Sequence, residues 1–99
     1  MKLIKKREVL DFIAKSNTTL YSDIKLGIFT PPVVIGENSV AWPLHECNAI
    51  NAARMAGKNN DEIKQLVHDL VELRKVVAGK NDEQIRALVA DLFEAVHHD

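Results

Sequence analysis

Cysteine is nearly absent from this sequence, and long apolar runs are absent altogether. Cys47 is the only cysteine, so the chain cannot hold a disulfide framework or a zinc site built from several thiolates. No apolar run approaches the roughly 20 positions of a membrane-spanning helix, and the first residues lack the apolar core of a secretory signal peptide. These absences predict a cytoplasmic protein with no membrane partner.

The motifs of several enzyme classes are also missing. The sequence has no glycine-rich phosphate loop and no nucleophile elbow. Its four histidines, His45, His68, His97 and His98, do not fall at the spacing of a metal-ligand set. We therefore expect a protein that is not an enzyme and that needs neither a metal nor another cofactor.

Charge is distributed unevenly along the chain, although the net charge is only −1. Residues 1–42 carry six Lys and Arg against four Asp and Glu, whereas residues 43–99 carry seven against ten. Cations cluster near the start of the sequence, where Lys5, Lys6 and Arg7 follow Lys2. Because phosphates attract such side chains, we predict that Lys5, Lys6 and Arg7 contact nucleic acid.

Residues 16–27 have the pattern of a short, well-capped helix. Ser16 is a favourable N-cap residue, and Gly27 suits a left-handed residue just after the helix. Leu20 and Ile24, with Tyr21 beside them, form a stripe that we expect to be buried. The opposite face is polar and of a size to enter the major groove. Its predicted DNA contacts are Asn17, Thr18, Thr19, Ser22 and Lys25.

A second short helix precedes this one, over about residues 7–15. Two short helices joined by a brief turn are typical of the helix-turn-helix, in which the second helix reads DNA. The glycine often found in that turn is missing, because Ala14 and Lys15 occupy the junction.

The next segment predicts a β-hairpin. Pro31 and Pro32 exclude a helix, residues 33–35 and 39–42 have the composition of strands, and Gly36-Glu37-Asn38 reads as the turn between them. This hairpin stands where a winged helix-turn-helix has its wing, so Asn38 and Ser39 are further predicted DNA contacts. A third helix then runs from Pro43 to a stop at Gly57.

The ordered motifs of residues 4–75 resemble the AlpA family of prophage regulators, most specifically over residues 27–42. The motifs that carry the resemblance are Arg7-Glu8-Val9, Ser16-x-Thr18-Thr19-Leu20-Tyr21, Ile24-Lys25-x-Gly27, Phe29-Thr30-Pro31-Pro32-Val33, Ile35-Gly36, Val40-Ala41-Trp42-Pro43, Glu46, Ala49-Ile50-Asn51-Ala52-Ala53-Arg54 and Ala56-Gly57-Lys58. The resemblance implies a winged helix-turn-helix related to excisionases and to MerR-type DNA-binding domains, and a regulator of mobile elements.

Several positions depart from the family pattern. Members commonly have a basic residue near the positions of Asn17, Ser22 or Asp23, Val34 and Asn38. Fewer cations neutralise fewer phosphates, so we expect one copy to bind DNA modestly. Asp23 beside the reading face would repel DNA unless it accepts from a cytosine amino group or pairs with a lysine.

The C-terminal part contains an internal repeat with a spacing of 22 residues, from Ala56 to Ala78. Ala-Gly-Lys-Asn opens both copies, and Asn59 with Glu62 and Asn81 with Gln84 have capping-box spacing. Each copy reads as an amphipathic helix whose stripe could pair with the other, with a second chain, or with the winged domain. The predicted dimer or partner interface consists of Ile63, Leu66, Val67, Leu70, Ile85, Leu88, Val89, Leu92 and Phe93.

The expected fold is therefore mainly α with a small β-hairpin. It comprises a winged helix-turn-helix over residues 1–57 and a helical tail over 58–99. The leading functional hypothesis is a sequence-specific transcriptional regulator that binds double-stranded DNA, with a homodimer formed through the tail. The alternatives are an excisionase-like factor that bends DNA for an integrase, and a protein-interaction adaptor that works through its tail.

Overall fold

The computed structural model describes residues 2–77 and 80–97, with the side chains of all of these except residues 82 and 92–97. Its elements in chain order are β1 (Leu3–Lys5), α1 (Lys6–Ile13), α2 (Asn17–Leu26), β2 (Val33–Gly36), β3 (Ser39–Pro43), α3 (Leu44–Met55), α4 (Asn60–Val76) and α5 (Asp82–His97). The expected class, a mainly helical winged helix-turn-helix fold with two further helices, is confirmed. Within the described residues, no helix has the length and apolar character needed to cross a membrane.

The wing contains one strand more than the sequence predicts. The strands lie in the order β1-β3-β2, and both pairs are antiparallel. In the pairing of β1 with β3, Ile4 lies opposite Trp42. Both side chains are buried, and the Trp42 indole donates to the Thr30 carbonyl at 2.9 Å. The extra strand therefore joins the start of the chain, with its cations, to the hairpin.

A left-handed residue makes the turn between α1 and α2 possible without a glycine. Ala14 ends α1 with φ of 55°, and both its amide and that of Lys15 donate to the Leu10 carbonyl. The end of α1 is also held from α3, because the side-chain amide of Asn51 donates to the Phe12 carbonyl at 2.9 Å. The short connection therefore depends on a backbone conformation that disfavours side chains with a Cβ atom.

One hydrophobic core crosses the predicted boundary at Gly57. Leu20 of α2, Trp42 of β3 and Ile50 of α3 belong to the same buried cluster as Ile63 and Leu70 of α4. Helix α5 packs against α3 and α4. The apolar stripe of α4 thus completes the core of the winged domain.

Both predicted capping boxes form, and they place the starts of the last two helices. Asn59 accepts from the Glu62 amide at 2.9 Å, and the Glu62 carboxylate accepts from the Asn59 amide at 3.1 Å. Asn81 and Gln84 repeat the pair at 2.8 and 3.1 Å. Gly57 follows α3 with φ of 79°, as predicted. Gly79, which corresponds to Gly57 in the second copy of the repeat, lies outside the described residues.

Candidate nucleic-acid interface

Helix α2 is fixed at both ends by the residues that the sequence indicates. The Ser16 hydroxyl accepts from the Thr19 amide at 3.2 Å and donates to the Thr19 hydroxyl at 3.0 Å. Gly27 adopts φ of 79° and donates to the Ile24 carbonyl at 3.1 Å. These caps satisfy backbone groups that a helix of ten residues otherwise leaves to water.

The outer face of α2 is polar and open. Leu20 is fully buried, and at about 100° per residue Thr18 and Ser22 point away from the core, while Thr19 lies on one flank. Lys25 shares the outward face and stands in the last turn, where a cation complements the helix dipole. All five predicted contacts on this helix are exposed: Asn17, Thr18, Thr19, Ser22 and Lys25.

Asp23 lies on the inner side of α2 and not beside the reading face. Its side chain is buried, with the residue only 7% exposed, and it accepts from the Lys15 ammonium at 2.5 Å. Of the readings open from the sequence, the structure shows the pairing with a lysine. The carboxylate is neutralised within the helix-turn-helix, and Lys15 is engaged by it.

Tyr21 points outward, although the sequence predicts that it belongs to the buried apolar stripe of α2. The residue is 41% exposed, and the Lys6 ammonium lies 5.7 Å from the centre of its ring, within cation–π distance. The expectation that Tyr21 packs in the core is wrong. The buried side of α2 is instead formed by Leu20 and Asp23, with Ile24 half-buried.

The predicted basic contacts lie at the junction of the sheet and α1. Lys5 ends β1 opposite Ala41 of β3, while Lys6 and Arg7 open α1. Lys5 and Arg7 are exposed, and Lys6 is half-buried. The contact between Lys6 and Tyr21 joins this cluster to the outer surface of α2.

The wing offers little positive charge. Its tip is a two-residue turn of Glu37 and Asn38 between the paired residues Gly36 and Ser39, and Asn38 adopts φ of 61°. Asn38 is exposed and Ser39 is half-buried. Glu37 is the only charged residue from 33 to 43, so any contact of the β2–β3 hairpin with DNA is made by polar and apolar groups.

Comparison with known proteins gives this arrangement a family. Residues 2–49 match the family described as Prophage CP4-57 regulatory protein (AlpA). Residues 2–49 form an AlpA-family domain. No curated protein and no solved structure matches it. The matched residues run from β1 through the first half of α3, so they include α2, the basic cluster and the wing.

A buried ion pair connects the AlpA-matched segment to the tail. Glu46, in the first turn of α3, has a fully buried side chain. Arg74 of α4 donates to both of its carboxylate oxygens, from Nε at 2.7 Å and from Nη2 at 2.6 Å. Arg74 Nη2 also donates to the Pro31 carbonyl at 2.8 Å. One guanidinium thus joins α4, α3 and the loop that precedes β2.

Arg74 is not among the predicted functional residues, although two features of the sequence point to it. Glu46 lies among apolar residues of α3 and needs a charged partner once it is buried. Arg74 follows Leu70 by four residues and continues the buried stripe of α4. A cation on an apolar stripe, together with an acid on another, is the pattern that predicts such a pair.

The predicted interface residues of the tail lie largely inside the chain. The core buries Ile63, Leu66, Val67 and Leu70. These side chains are therefore not available for the predicted contact with a second chain. Ile85 is also buried, because α5 packs on α3 and α4, while Leu88 and Val89 are half-buried. The side chains of Leu92 and Phe93 lie outside the described residues.

Burial perturbs two further ionisable groups of α3, Cys47 and His45. Cys47 is fully buried, and desolvation by burial raises the pKa of its thiol to about 12, so it carries no thiolate at neutral pH. Burial lowers the pKa of His45. In the described part of the chain, no group of three His, Cys, Asp or Glu residues is placed to hold a metal ion. Cys47 therefore acts as a small apolar side chain.

Proposed function

We propose that this AlpA-family chain is a sequence-specific transcriptional regulator of a prophage or another mobile element, and that it reads double-stranded DNA with α2. One observation supports this function best. A capped helix in a helix-turn-helix exposes small polar side chains, Thr18 and Ser22, at the centre of its outer face. Side chains of this kind reach base edges in the major groove, while neighbouring cations hold the phosphates.

The proposed contacts divide into two groups. Thr18 and Ser22 face the bases, Asn17 lies on the same flank as Lys25, and Thr19 lies on the opposite flank with its hydroxyl accepting from Ser16. The phosphates are held by Lys5, Lys6, Arg7 and Lys25, with Asn38 and Ser39 of the wing at the neighbouring groove. Four cations imply a slope of about −3.6 in a plot of log affinity against log salt. One copy should therefore bind moderately, and affinity should fall quickly with salt.

Selection from a pool of random duplexes at low salt tests the proposal directly. The full chain should enrich one motif, and its Kd for that motif should be lower than for a scrambled duplex. Thr18→Glu with Ser22→Glu places two carboxylates against the bases and should abolish the preference. Ala87→Glu with Ala90→Glu adds the same charge to exposed positions of α5 and serves as the matched control.

The outcome contradicts the proposal if the Thr18→Glu, Ser22→Glu variant binds as the wild type does while both are folded by circular dichroism. A reporter gene downstream of the selected motif then tests regulation. Bending of the duplex by the protein without any effect on the reporter would indicate the excisionase-like role beside an integrase. If the chain binds no DNA, the result would favour the role of a protein-interaction adaptor that works through its tail.

We further propose that two copies bind together, since paired half-sites add the phosphate contacts that one copy lacks. An inverted repeat in the selected motif and a dimer mass on DNA are the expected results. Because Ile63 and Leu70 are used in the core, truncation after Gly57 would open the fold. The mass must therefore be measured on the full chain by sedimentation, and a single copy per motif would refute the dimer.

A further inference from the structure

Tyr21 is an aromatic residue on the surface of the proposed reading helix, and 41% of its area is exposed. It follows Leu20 by one position and therefore lies about 100° around the helix from the core. Asn17 and Lys25 are four residues away on either side, so all three share one flank of α2. Among the described residues, none forms a hydrogen bond with the Tyr21 hydroxyl.

Lys6 fixes the direction in which this flank faces. Its ammonium lies 5.7 Å from the centre of the Tyr21 ring, and it belongs to the same cluster as Lys5 and Arg7. The Tyr21 flank thus faces the positive end of the domain, whereas Thr19 lies on the opposite flank. If α2 lies in a major groove, its centre faces bases and its flanks face the two phosphate backbones.

We propose that Tyr21 and Lys6 form one phosphate-binding unit at the edge of the major groove, with the Tyr21 hydroxyl donating to a phosphate oxygen. Lys6 supplies the positive charge to the same backbone and orients the ring through its cation–π contact. The unit sets the position of α2 in the groove without reading sequence, as phosphate contacts do. This inference rests on the proposed function, because it requires α2 to lie in the groove.

Two substitutions separate the hydroxyl from the charge. Tyr21→Phe keeps the ring and removes only the donor, so it should weaken binding to the selected and the scrambled duplex alike, by about fivefold. Its salt slope should not change, because no charge is lost. Lys6→Met removes one cation and should reduce the magnitude of the slope by about 0.9.

The matched control for charge is Lys75→Met. Lys75 is exposed on α4 and pairs with Glu72, so its loss should leave the salt slope unchanged. Urea unfolding of each variant checks that the fold is intact. Tyr21 is exposed, so its change to Phe should leave the unfolding midpoint within error of the wild type.

Three outcomes overturn the inference. Equal Kd values for wild type and Tyr21→Phe would show that the hydroxyl contacts no phosphate, while the proposed function would stand. A loss restricted to the selected duplex would show that Tyr21 reads a base. If the wild type binds no duplex at all, the proposed function and this inference fail together.

Discussion

Loss of Arg74 should destabilise the fold more than any exposed substitution in the chain. The Glu46 carboxylate is fully buried and accepts two hydrogen bonds from this one guanidinium. Arg74→Ala leaves the charge without a partner, and removal of one member of a buried pair costs about 3–5 kcal/mol. Domains of this size have total stabilities of about 5–15 kcal/mol, so the variant would be marginal.

Urea denaturation followed by circular dichroism measures this cost. With a slope of about 1.5 kcal/mol per molar urea, the midpoint should fall by about 2–3 M. Arg74→Lys keeps the charge but loses the bidentate geometry and the bond to the Pro31 carbonyl, so it should be intermediate. Lys75→Ala, at the neighbouring exposed position, should cost less than about 1 kcal/mol.

A double variant isolates the cause. In Glu46→Met with Arg74→Met, apolar side chains of similar length replace both charges, and such replacements are often neutral or stabilising. We therefore expect the double variant to be more stable than either single variant. The reasoning is refuted if Arg74→Ala costs less than about 1 kcal/mol, or if the double variant is as unstable as the sum of its parts.

Three further predictions concern the turn, the wing and pH. Ala14→Gly should stabilise the fold by about 1 kcal/mol, because Ala14 has φ of 55°. The control Ala56→Gly, at φ of −77°, should not stabilise it. Equal urea midpoints for the two variants would contradict this prediction. Glu37→Lys should tighten DNA binding and steepen the salt slope, and an unchanged slope would place the wing away from DNA. Burial lowers the pKa of His45 below 6.5, so the unfolded state takes up a proton before the folded state does. The stability of the fold should therefore decrease as pH falls below about 6.5. In His45→Gln this decrease, measured by urea midpoints, should be smaller.

The features that the sequence predicts well are local. Ser16 with Gly27, and Asn59 with Glu62, act across three to eleven positions, so their residue types alone indicate where helices begin and end. The hairpin follows from its turn and the two prolines for the same reason.

The features that the sequence did not predict depend on contacts that form only when separate elements pack together. Strand β1 has three residues and exists only through pairing with β3, about 40 positions later. The phase of α2 was ambiguous, because a stripe through Leu20 and Ile24 can be extended by Tyr21 or by Asp23. In the structure Asp23 extends the buried side of α2 and pairs with Lys15. That contact requires the turn between the helices to be formed.

The position of Arg74 has a consequence for synthesis on the ribosome. Proteins emerge from the N-terminus, and domains generally fold as units. Here the residues matched to AlpA leave the exit tunnel first, but Glu46 can pair with Arg74 only after the chain has been synthesised to residue 74. Folding of the matched segment should therefore be completed late in translation, and a message cut short before that codon should yield an unstable product that proteases remove.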